Sequence, residues 1–173
     1  MACEPQIALR SVAYIPQIAP PIEAPVGEVV RAHAALRGLP ESATYERAAR
    51  LGLTGTTLRT KRFRDLSGGM RQKLLAAMAL ATSAPVLVCD EPTANLDGEA
   101  RTSFFEQLAE RPKSAIVVLC SHRVEEVRQL VDRVIEFHDG CVVRDGPVDY
   151  PTFLTSTPGV ELSAPSPSGR GAS

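Results

Sequence analysis

The chain has 173 residues with 19 basic and 20 acidic side chains, so its net charge at pH 7 is −1. Such a balance argues against a large nucleic-acid-binding face, which carries an excess of Lys and Arg. Hydrophobic residues make up 44% of the chain, enough for a core, and no uninterrupted apolar run approaches the ~20 residues that span a bilayer. The N-terminal sequence lacks the basic and apolar segments of a secretory signal. The four scattered cysteines show no zinc-site spacing and indicate a reducing compartment.

The first half of the sequence predicts one short strand followed by helices. Prolines and glycines separate these segments, because both residue types interrupt regular structure. The expected elements are, in chain order, a strand at 11–15, a proline-rich loop at 18–25, helices at 26–36 and 41–51 closed by Gly38 and Gly52, a polar loop with a short turn at 54–65, and a long helix from Ser67 to about Ala81.

The second half alternates strands and helices, which predicts a parallel sheet with crossover helices. Its strands are continuous apolar runs, which are typical of strands buried on both faces. The expected elements are strands at 86–89 and 114–120, helices at 99–111 and 123–130, and a hairpin of strands 134–137 and 141–144 joined at Asp139-Gly140. In the segment 156–173, 13 of the 18 residues are Ser, Pro, Gly or Ala, which predicts a disordered tail.

Two adjacent carboxylates, Asp90 and Glu91, follow the apolar strand 86–89. Ligands bind open α/β sheets at the carboxyl ends of their strands. Where the chain turns at a strand end, both side chains can reach one site. One carboxylate can then hold Mg²⁺ through its water shell, and the other can orient or deprotonate an attacking water. The alternative is a pair of solvated acids, which is the better explanation for such a pair in isolation.

The segment Ser67-Gly68-Gly69 precedes the long predicted helix. Its glycines relax the steric limits on φ, and the start of a helix presents free N–H groups and the positive end of the helix dipole. A phosphate fits such a turn. Taken alone, the segment is better explained as a helix cap with a flexible turn.

His122 and Gln17 also follow predicted strands. His122 comes directly after the strand 114–120, where a histidine can contact a phosphate or a catalytic water, although a lone histidine is more often structural. Gln17 follows the first strand through Pro16 and offers both a donor and an acceptor to a metal-bound water. By itself this glutamine carries almost no information.

Together, five segments over residues 11–146 resemble the ATP-binding subunit of ABC transporters. They occur in the order that is found in the family, and it is the combination that makes the resemblance specific. The segments are Tyr14-Ile15-Pro16-Gln17 for the Q-loop, residues 66–72 (LSGGMRQ) for the signature loop, residues 86–91 (VLVCDE) for the Walker B strand, residues 92–97 (PTANLD) for the D-loop, and Ser121-His122 for the switch histidine.

The resemblance implies a role for each segment. Asp90 would bind Mg²⁺ through water, Glu91 would be the general base, and His122 would contact the γ-phosphate of ATP. In the family two subunits pair head to tail, so the signature loop of each closes on the ATP that is held by the other. The residues that the resemblance places at nucleotide or metal are Gln17, which senses the metal and the attacking water, Ser67, Gly68, Gly69 and Gln72 of the signature segment, and Asp97 at the junction of the two subunits.

The resemblance also implies a fold and its organisation. The fold class is α/β, a P-loop NTPase-type parallel sheet that is partial because its first strands are missing, with an inserted helical subdomain. One nucleotide-binding domain is expected over 1–155, with the helical subdomain at about 18–75 and the α/β core at about 84–146. The disordered tail follows at 156–173.

The implied cofactors are ATP and Mg²⁺. The implied partners are a second ATP-binding subunit, identical or different, and membrane-spanning permease subunits, with no nucleic acid among them. The implied location is cytoplasmic, peripheral on the inner face of the cell membrane.

The sequence departs from the family in one respect, because no G-x-x-x-x-G-K-[ST] phosphate loop occurs in it. Only 16 residues precede Gln17, so the first strands, the phosphate loop with its helix and the aromatic residue that stacks on adenine are missing. Three explanations are open: a truncated gene product or late start codon, a separate polypeptide that supplies the missing half, or an incomplete subunit that donates its signature loop to a complete partner. We favour truncation because Glu91 and His122 are both present.

Three functions follow from these alternatives. The first is the ATP-hydrolysing subunit of a transporter, an ATPase that is inactive as this chain alone and needs a phosphate loop. The second is a catalytically silent protomer that stimulates a complete partner. The third is an ABC protein that acts on ribosomes or DNA, which the near-zero net charge and the short helical segment disfavour.

Overall fold

The computed structural model describes residues 10–55, 58–122, 128 and 130–148. By their contacts, the residues up to 130 form one compact unit and those from 131 onwards form a second. The expected division into a helical subdomain and an α/β core stays a prediction. Within the described residues, no helix has the length and apolarity that crossing a membrane requires.

A parallel three-stranded sheet forms the centre of the first unit. Its strands are β1 (Val12–Ile15), β2 (Val86–Asp90) and β3 (Ile116–Cys120), in the spatial order β1-β2-β3. This order confirms that the first strand joins the same layer as the later ones. In the register of the sheet, Ile15 lies opposite Cys89, and Asp90 lies opposite Cys120. The carboxyl ends of all three strands therefore meet at one edge.

Among the described residues, four helices accompany the sheet, and all four were expected from the sequence. The signals that end or begin them act as predicted: Gly38 closes one helix with a left-handed φ of 68°, and the Ser67 side chain caps the start of another. The helices are α1 (Val26–Arg37), α2 (Glu41–Arg50), α3 (Gly68–Leu80) and α4 (Gly98–Ala109), and two short 3₁₀ turns lie at Leu58–Thr60 and Phe63–Asp65.

One face of the sheet is buried in the hydrophobic core. Ile15, Leu87 and Cys89 point into this core and are fully buried. They belong to the same cluster as Leu74 of α3 and Phe104 of α4. Side chains alternate between the two faces of a strand, so this burial accounts for every second residue of β1 and β2.

The opposite face of the sheet is not covered by the described residues. Tyr14, Ile116 and Val118 remain 54%, 60% and 46% exposed, and β2 alternates between half-buried and buried residues. The prediction that strands 86–89 and 114–120 are buried on both faces is therefore wrong for this structure. A continuous apolar run indicates that a strand is suited to two covering layers, and the described residues supply one of them.

The second unit contains a β-hairpin that confirms the prediction at Asp139-Gly140. Strands β4 (Arg133–His138) and β5 (Cys141–Pro147) pair antiparallel. Asp139 and Gly140 have φ angles of 47° and 76°, the two positive values that a tight hairpin turn requires. The described residues do not include the predicted tail at 156–173. Of the predicted helix at 123–130, they include only residues 128 and 130.

We expect Phe104→Ala to lower the free energy of unfolding by about 3–5 kcal/mol, because it empties a fully buried position in the core. Phe105→Ala is the matched control: its ring meets that of Phe104 edge to face but is only partly buried. Urea denaturation of the three proteins measures the difference. Equal losses from both substitutions would contradict the described core.

An ion cluster joins the end of α4 to α2 and gives stability a pH dependence. Hydrogen bonds from Arg50 and Arg47 lower the pKa of Glu110 from 4.5 to about 2. A carboxylate with a lowered folded-state pKa stabilises the fold above its unfolded pKa, and this contribution is lost as the pH falls through the folded value.

We therefore expect the stability difference between the wild type and Glu110→Gln to shrink as the pH falls from 4.5 towards 2. Urea unfolding at several pH values measures this difference. Glu46→Gln, at an exposed position of α2, is the control and is expected to leave the pH profile unchanged. A difference between the wild type and Glu110→Gln that stayed constant over this range would contradict the role of the cluster.

Candidate functional site

The polar residues expected at the strand ends lie along the carboxyl edge of the sheet. Gln17 lies two residues beyond Ile15, the last residue of β1, and His122 lies two residues beyond Cys120, the last residue of β3. Both are exposed, whereas Asp90 at the end of β2 is half-buried. The parallel register therefore brings Gln17, Asp90 and His122 to one edge, as the sequence predicts.

Glu91 adopts an unusual backbone conformation at this edge. Its φ is +45°, in the left-handed region that residues other than glycine rarely occupy. Its backbone N–H donates a hydrogen bond of 3.0 Å to the carbonyl of Cys120, so the pairing with β3 continues past the end of β2. The chain turns at Glu91 while it is still held to the neighbouring strand, which allows this side chain to leave the alternation of the strand.

The turn brings the Glu91 carboxylate against His122. Its Oε1 accepts a hydrogen bond from the backbone N–H of His122 at 3.0 Å and lies 2.8 Å from the ring Nδ1. The Glu91 side chain is 17% exposed and that of His122 is 69% exposed. Because an ionised carboxylate only accepts, Nδ1 carries the proton in this contact, and Nε2 is the ring nitrogen that can meet a ligand.

The glycine turn lies at the start of α3 and is accessible. Ser67 Oγ accepts a hydrogen bond of 3.2 Å from the N–H of Met70, which confirms Ser67 as the N-cap. Ser67 and Gly68 are exposed, and Gly69 is half-buried. The 13-residue helix behind them directs its positive dipole end at this turn.

The start of α3 is fastened to the loop that follows Glu91, which we call the D-loop segment (residues 92–97). Gln72 is 2% exposed, and its Nε2 donates to the carbonyl of Pro92 at 3.3 Å. Gly69 fits closely, because a Cβ on it would lie only 2.9 Å from the carbonyl oxygen of Asn95. The glycine turn at the start of α3 is thus joined within this chain to the segment that follows Glu91.

Asp97 has structural partners for both of its carboxylate oxygens. Oδ1 accepts from the N–H of Ala100 at 2.9 Å and caps α4, while Oδ2 lies 2.6 Å from Lys73 Nζ. The hydrogen bond from Lys73, followed by that from Ala100, lowers the pKa of Asp97. The predicted contacts of Gln72 and Asp97 with a nucleotide stay predictions.

Lys73 is a residue of this site that the sequence does not predict. The available signal was that Lys73 is the one basic residue at the head of an otherwise uncharged stretch, residues 73–80. A lysine there is usually expected to point into solvent, yet its side chain is only 13% exposed.

The donor set at the edge suits Mg²⁺ but does not form a protein-only metal cage. Asp90 and Gln17 offer carboxylate and amide oxygens, the hard donors that Mg²⁺ prefers. In the part of the chain that the structure describes, no group of three or more His, Cys, Asp or Glu residues is placed to hold a metal.

The sequence matches a known protein family. The model of the ABC transporter family matches residues 6–94, which is 89 of the 173 residues. The chain belongs to the ABC transporter family. The match includes three of the five segments singled out above in full, the Q-loop, the signature loop and the Walker B strand, and the first three residues of the D-loop segment.

Curated ABC proteins are similar to parts of this chain. The mycobactin import ATP-binding/permease protein IrtB of Mycobacterium bovis is 43% identical over 83 residues, covering 48% of this chain and 14% of IrtB. The energy-coupling factor transporter ATP-binding protein EcfA2 of Clostridium perfringens is 35% identical over 100 residues, covering 57% and 35%. The methionine import ATP-binding protein MetN 2 of Pseudomonas entomophila is 36% identical over 114 residues, covering 65% and 33%.

Solved structures agree with the fold. An ATP-binding subunit of an ABC transporter superposes with a TM-score of 0.73 at 25% identity, covering 84% of this chain and 62% of that one. A dimeric ATP-binding cassette in a post-hydrolysis state, bound to ADP and Pi, superposes with a TM-score of 0.67 at 22% identity, covering 83% and 65%. The present chain therefore has the P-loop NTPase fold. It spans less than two thirds of the length of each of these relatives.

The close approach of Gly69 to Asn95 gives a test of the described site. We expect Gly69→Ala to lower the free energy of unfolding by about 1–3 kcal/mol, because the added methyl group meets a backbone oxygen that must shift. Gly68→Ala is the matched control, since nothing lies within 4 Å of its added Cβ. Urea denaturation measures both. Similar stabilities of the two variants would contradict the contact between α3 and the D-loop segment.

Proposed function

We propose that this chain is the water-activating part of the ATP-binding and ATP-hydrolysing subunit of an ABC transporter, and that it powers transmembrane transport. The contact between Glu91 and His122 at adjoining strand ends is the observation that carries the proposal. Membership in the ABC transporter family supports it.

In this proposal Glu91 acts on the attacking water. Its carboxylate is largely shielded from solvent, and the backbone N–H and Nδ1 of His122 both hold the same oxygen, Oε1. The second oxygen, Oε2, is then directed by these contacts and serves as the base that orients or deprotonates the water. The exposed ring of His122 presents Nε2 to the γ-phosphate of ATP.

Asp90 and Gln17 are the proposed residues for Mg²⁺ at the same edge. The carboxylate of Asp90 would hold a metal-bound water, and the amide of Gln17 would sense both the metal and the attacking water. The bound ion would neutralise charge on the phosphates of ATP.

We further propose that a polypeptide outside these 173 residues supplies the phosphate loop. The sequence contains no G-x-x-x-x-G-K-[ST], and the sheet leaves an apolar face exposed at Tyr14, Ile116 and Val118. A parallel sheet normally carries helices on both faces, so a further strand and helix would cover this face. Either a longer version of this chain or a separate polypeptide satisfies this requirement, and we favour the longer chain because Glu91 and His122 are retained.

A second candidate is a silent protomer that donates its signature loop to a complete partner. The exposure of Ser67 and Gly68 at the start of α3 favours this possibility, because a partner's nucleotide can reach the turn. Both candidates place the chain beside a second ATP-binding subunit and membrane-spanning permeases, on the inner face of the cell membrane. The names of IrtB, EcfA2 and MetN 2, which describe import or transporter proteins, support a role in transport.

We expect ATP hydrolysis once the chain is fused to a segment that carries a G-x-x-x-x-G-K-[ST] phosphate loop. Glu91→Gln is then expected to reduce turnover about a hundredfold or more, because an amide cannot accept the proton of the attacking water. Steady-state phosphate release measures the turnover.

Glu46→Gln, an exposed carboxylate of α2 away from the sheet edge, is the matched control and should keep the activity of the fusion. A fusion that loses activity only when the lysine of its phosphate loop is replaced, and not with Glu91→Gln, would contradict the assignment of the base. Robust turnover by the unfused chain would contradict its incompleteness.

A further inference from the structure

The side chain of Lys73 lies where three helices approach each other. It is 13% exposed, and its Nζ lies 2.6 Å from Oδ2 of Asp97, the N-cap of α4. On its other side is the end of α2, because a methyl group placed on Gly52 would lie 3.6 Å from Nζ. The ammonium group therefore lies close both to Gly52, two residues beyond the end of α2, and to Asp97, the N-cap of α4.

The charges at this point alternate in sign. The C-terminal end of a helix carries a partial negative charge and the N-terminal end a partial positive charge. The end of α2 (−), Lys73 (+), Asp97 (−) and the start of α4 (+) therefore follow one another in an attractive order. The Lys73 side chain is only 13% exposed and each charge of the pair lies beside a helix end of opposite sign, so this ion pair holds its geometry better than an isolated surface pair.

Lys73 also belongs to a single contact face of α3. Gly69, Gln72 and Lys73 are three and four residues apart, so they lie on the same side of the helix. On that side Gly69 approaches the carbonyl oxygen of Asn95, and Gln72 donates to the carbonyl of Pro92. Lys73 pairs with the carboxylate of Asp97. Of these three contacts, only the one that Lys73 makes joins two charges.

We propose that Lys73 is a positioning residue that locks the signature turn at Ser67–Gly69 to the D-loop segment, and thereby to the turn at Glu91. Gly69 and Gln72 permit the close approach, and the ion pair with Asp97 fixes it. The functional consequence rests on the proposed function: the turn that would meet a partner's nucleotide and the carboxylate that would activate water move together as one body.

Hydrogen exchange of the 173-residue chain, measured by mass spectrometry without nucleotide, tests the lock. We expect Lys73→Met to speed the exchange of amides in 67–71 and 93–97 about three- to tenfold, because local opening of this contact becomes easier. Exchange in α1 should stay unchanged. Lys73→Arg keeps the charge and should restore exchange to within about twofold of the wild type.

Asp97→Asn provides a second variant, because an asparagine still caps α4 but no longer pairs with the ammonium group. It should speed exchange in the same two segments, and the double variant with Lys73→Met should exceed neither single variant by more than about twofold. Arg133→Met removes an ion pair with Asp145 in the second unit and is the matched control, with no change expected at 67–97.

Two results would overturn the proposal. One is an equal rise in exchange across α1 and the two segments, which would reveal a general loss of stability. The other is unchanged exchange in Lys73→Met. Neither depends on ATP hydrolysis, so failure of the lock and failure of the proposed function remain distinguishable.

Discussion

The turn at Glu91 is the constraint on which the site depends. A residue that continued β2 in regular alternation would place its side chain on the face opposite Asp90. The left-handed conformation at Glu91 costs about 1–2 kcal/mol for a residue with a Cβ. Three hydrogen bonds offset this cost: its own N–H to Cys120, and the two that its carboxylate oxygen receives from His122. Glu91 is thus held by Cys120 at the end of β3 and by His122, which follows that strand.

The same turn determines where α3 can lie. The D-loop segment begins directly after Glu91, and its carbonyl groups at Pro92 and Asn95 receive the buried face of α3. Any displacement of Glu91 therefore displaces the surface against which the signature turn is packed. Lys73 adds an ion pair to this otherwise neutral contact, because the end of α2 favours the charge of Lys73 and the start of α4 favours that of Asp97. The hydrogen bonds at Glu91 and the electrostatics at the helix ends together stabilise one arrangement.

The sequence predicted those features that depend on neighbouring residues or on the order of elements. Gly38 and Ser67 marked helix ends, and Asp139-Gly140 marked the hairpin, because each acts through local backbone conformation. The grouping of Gln17, Asp90 and His122 followed from the rule that parallel strands end at one edge. The ion pair of Lys73 was not predictable in this way, because it arises only where α2, α3 and α4 pack together. The exposure of β3 was missed for a related reason, since an apolar run does not reveal whether its covering layer is present.

The exposed face of the sheet ends at the candidate site. Asp90 points to the same side of β2 as Val86 and Val88, so this apolar face ends at the proposed Mg²⁺ residue. A helix that covered it after a right-handed crossover would run antiparallel to the strands and begin at their carboxyl edge. Its positive dipole end would then lie beside Asp90, Glu91 and His122, where a triphosphate needs positive charge. In the proposed function, covering this apolar face and completing the nucleotide site are consequently the same structural step.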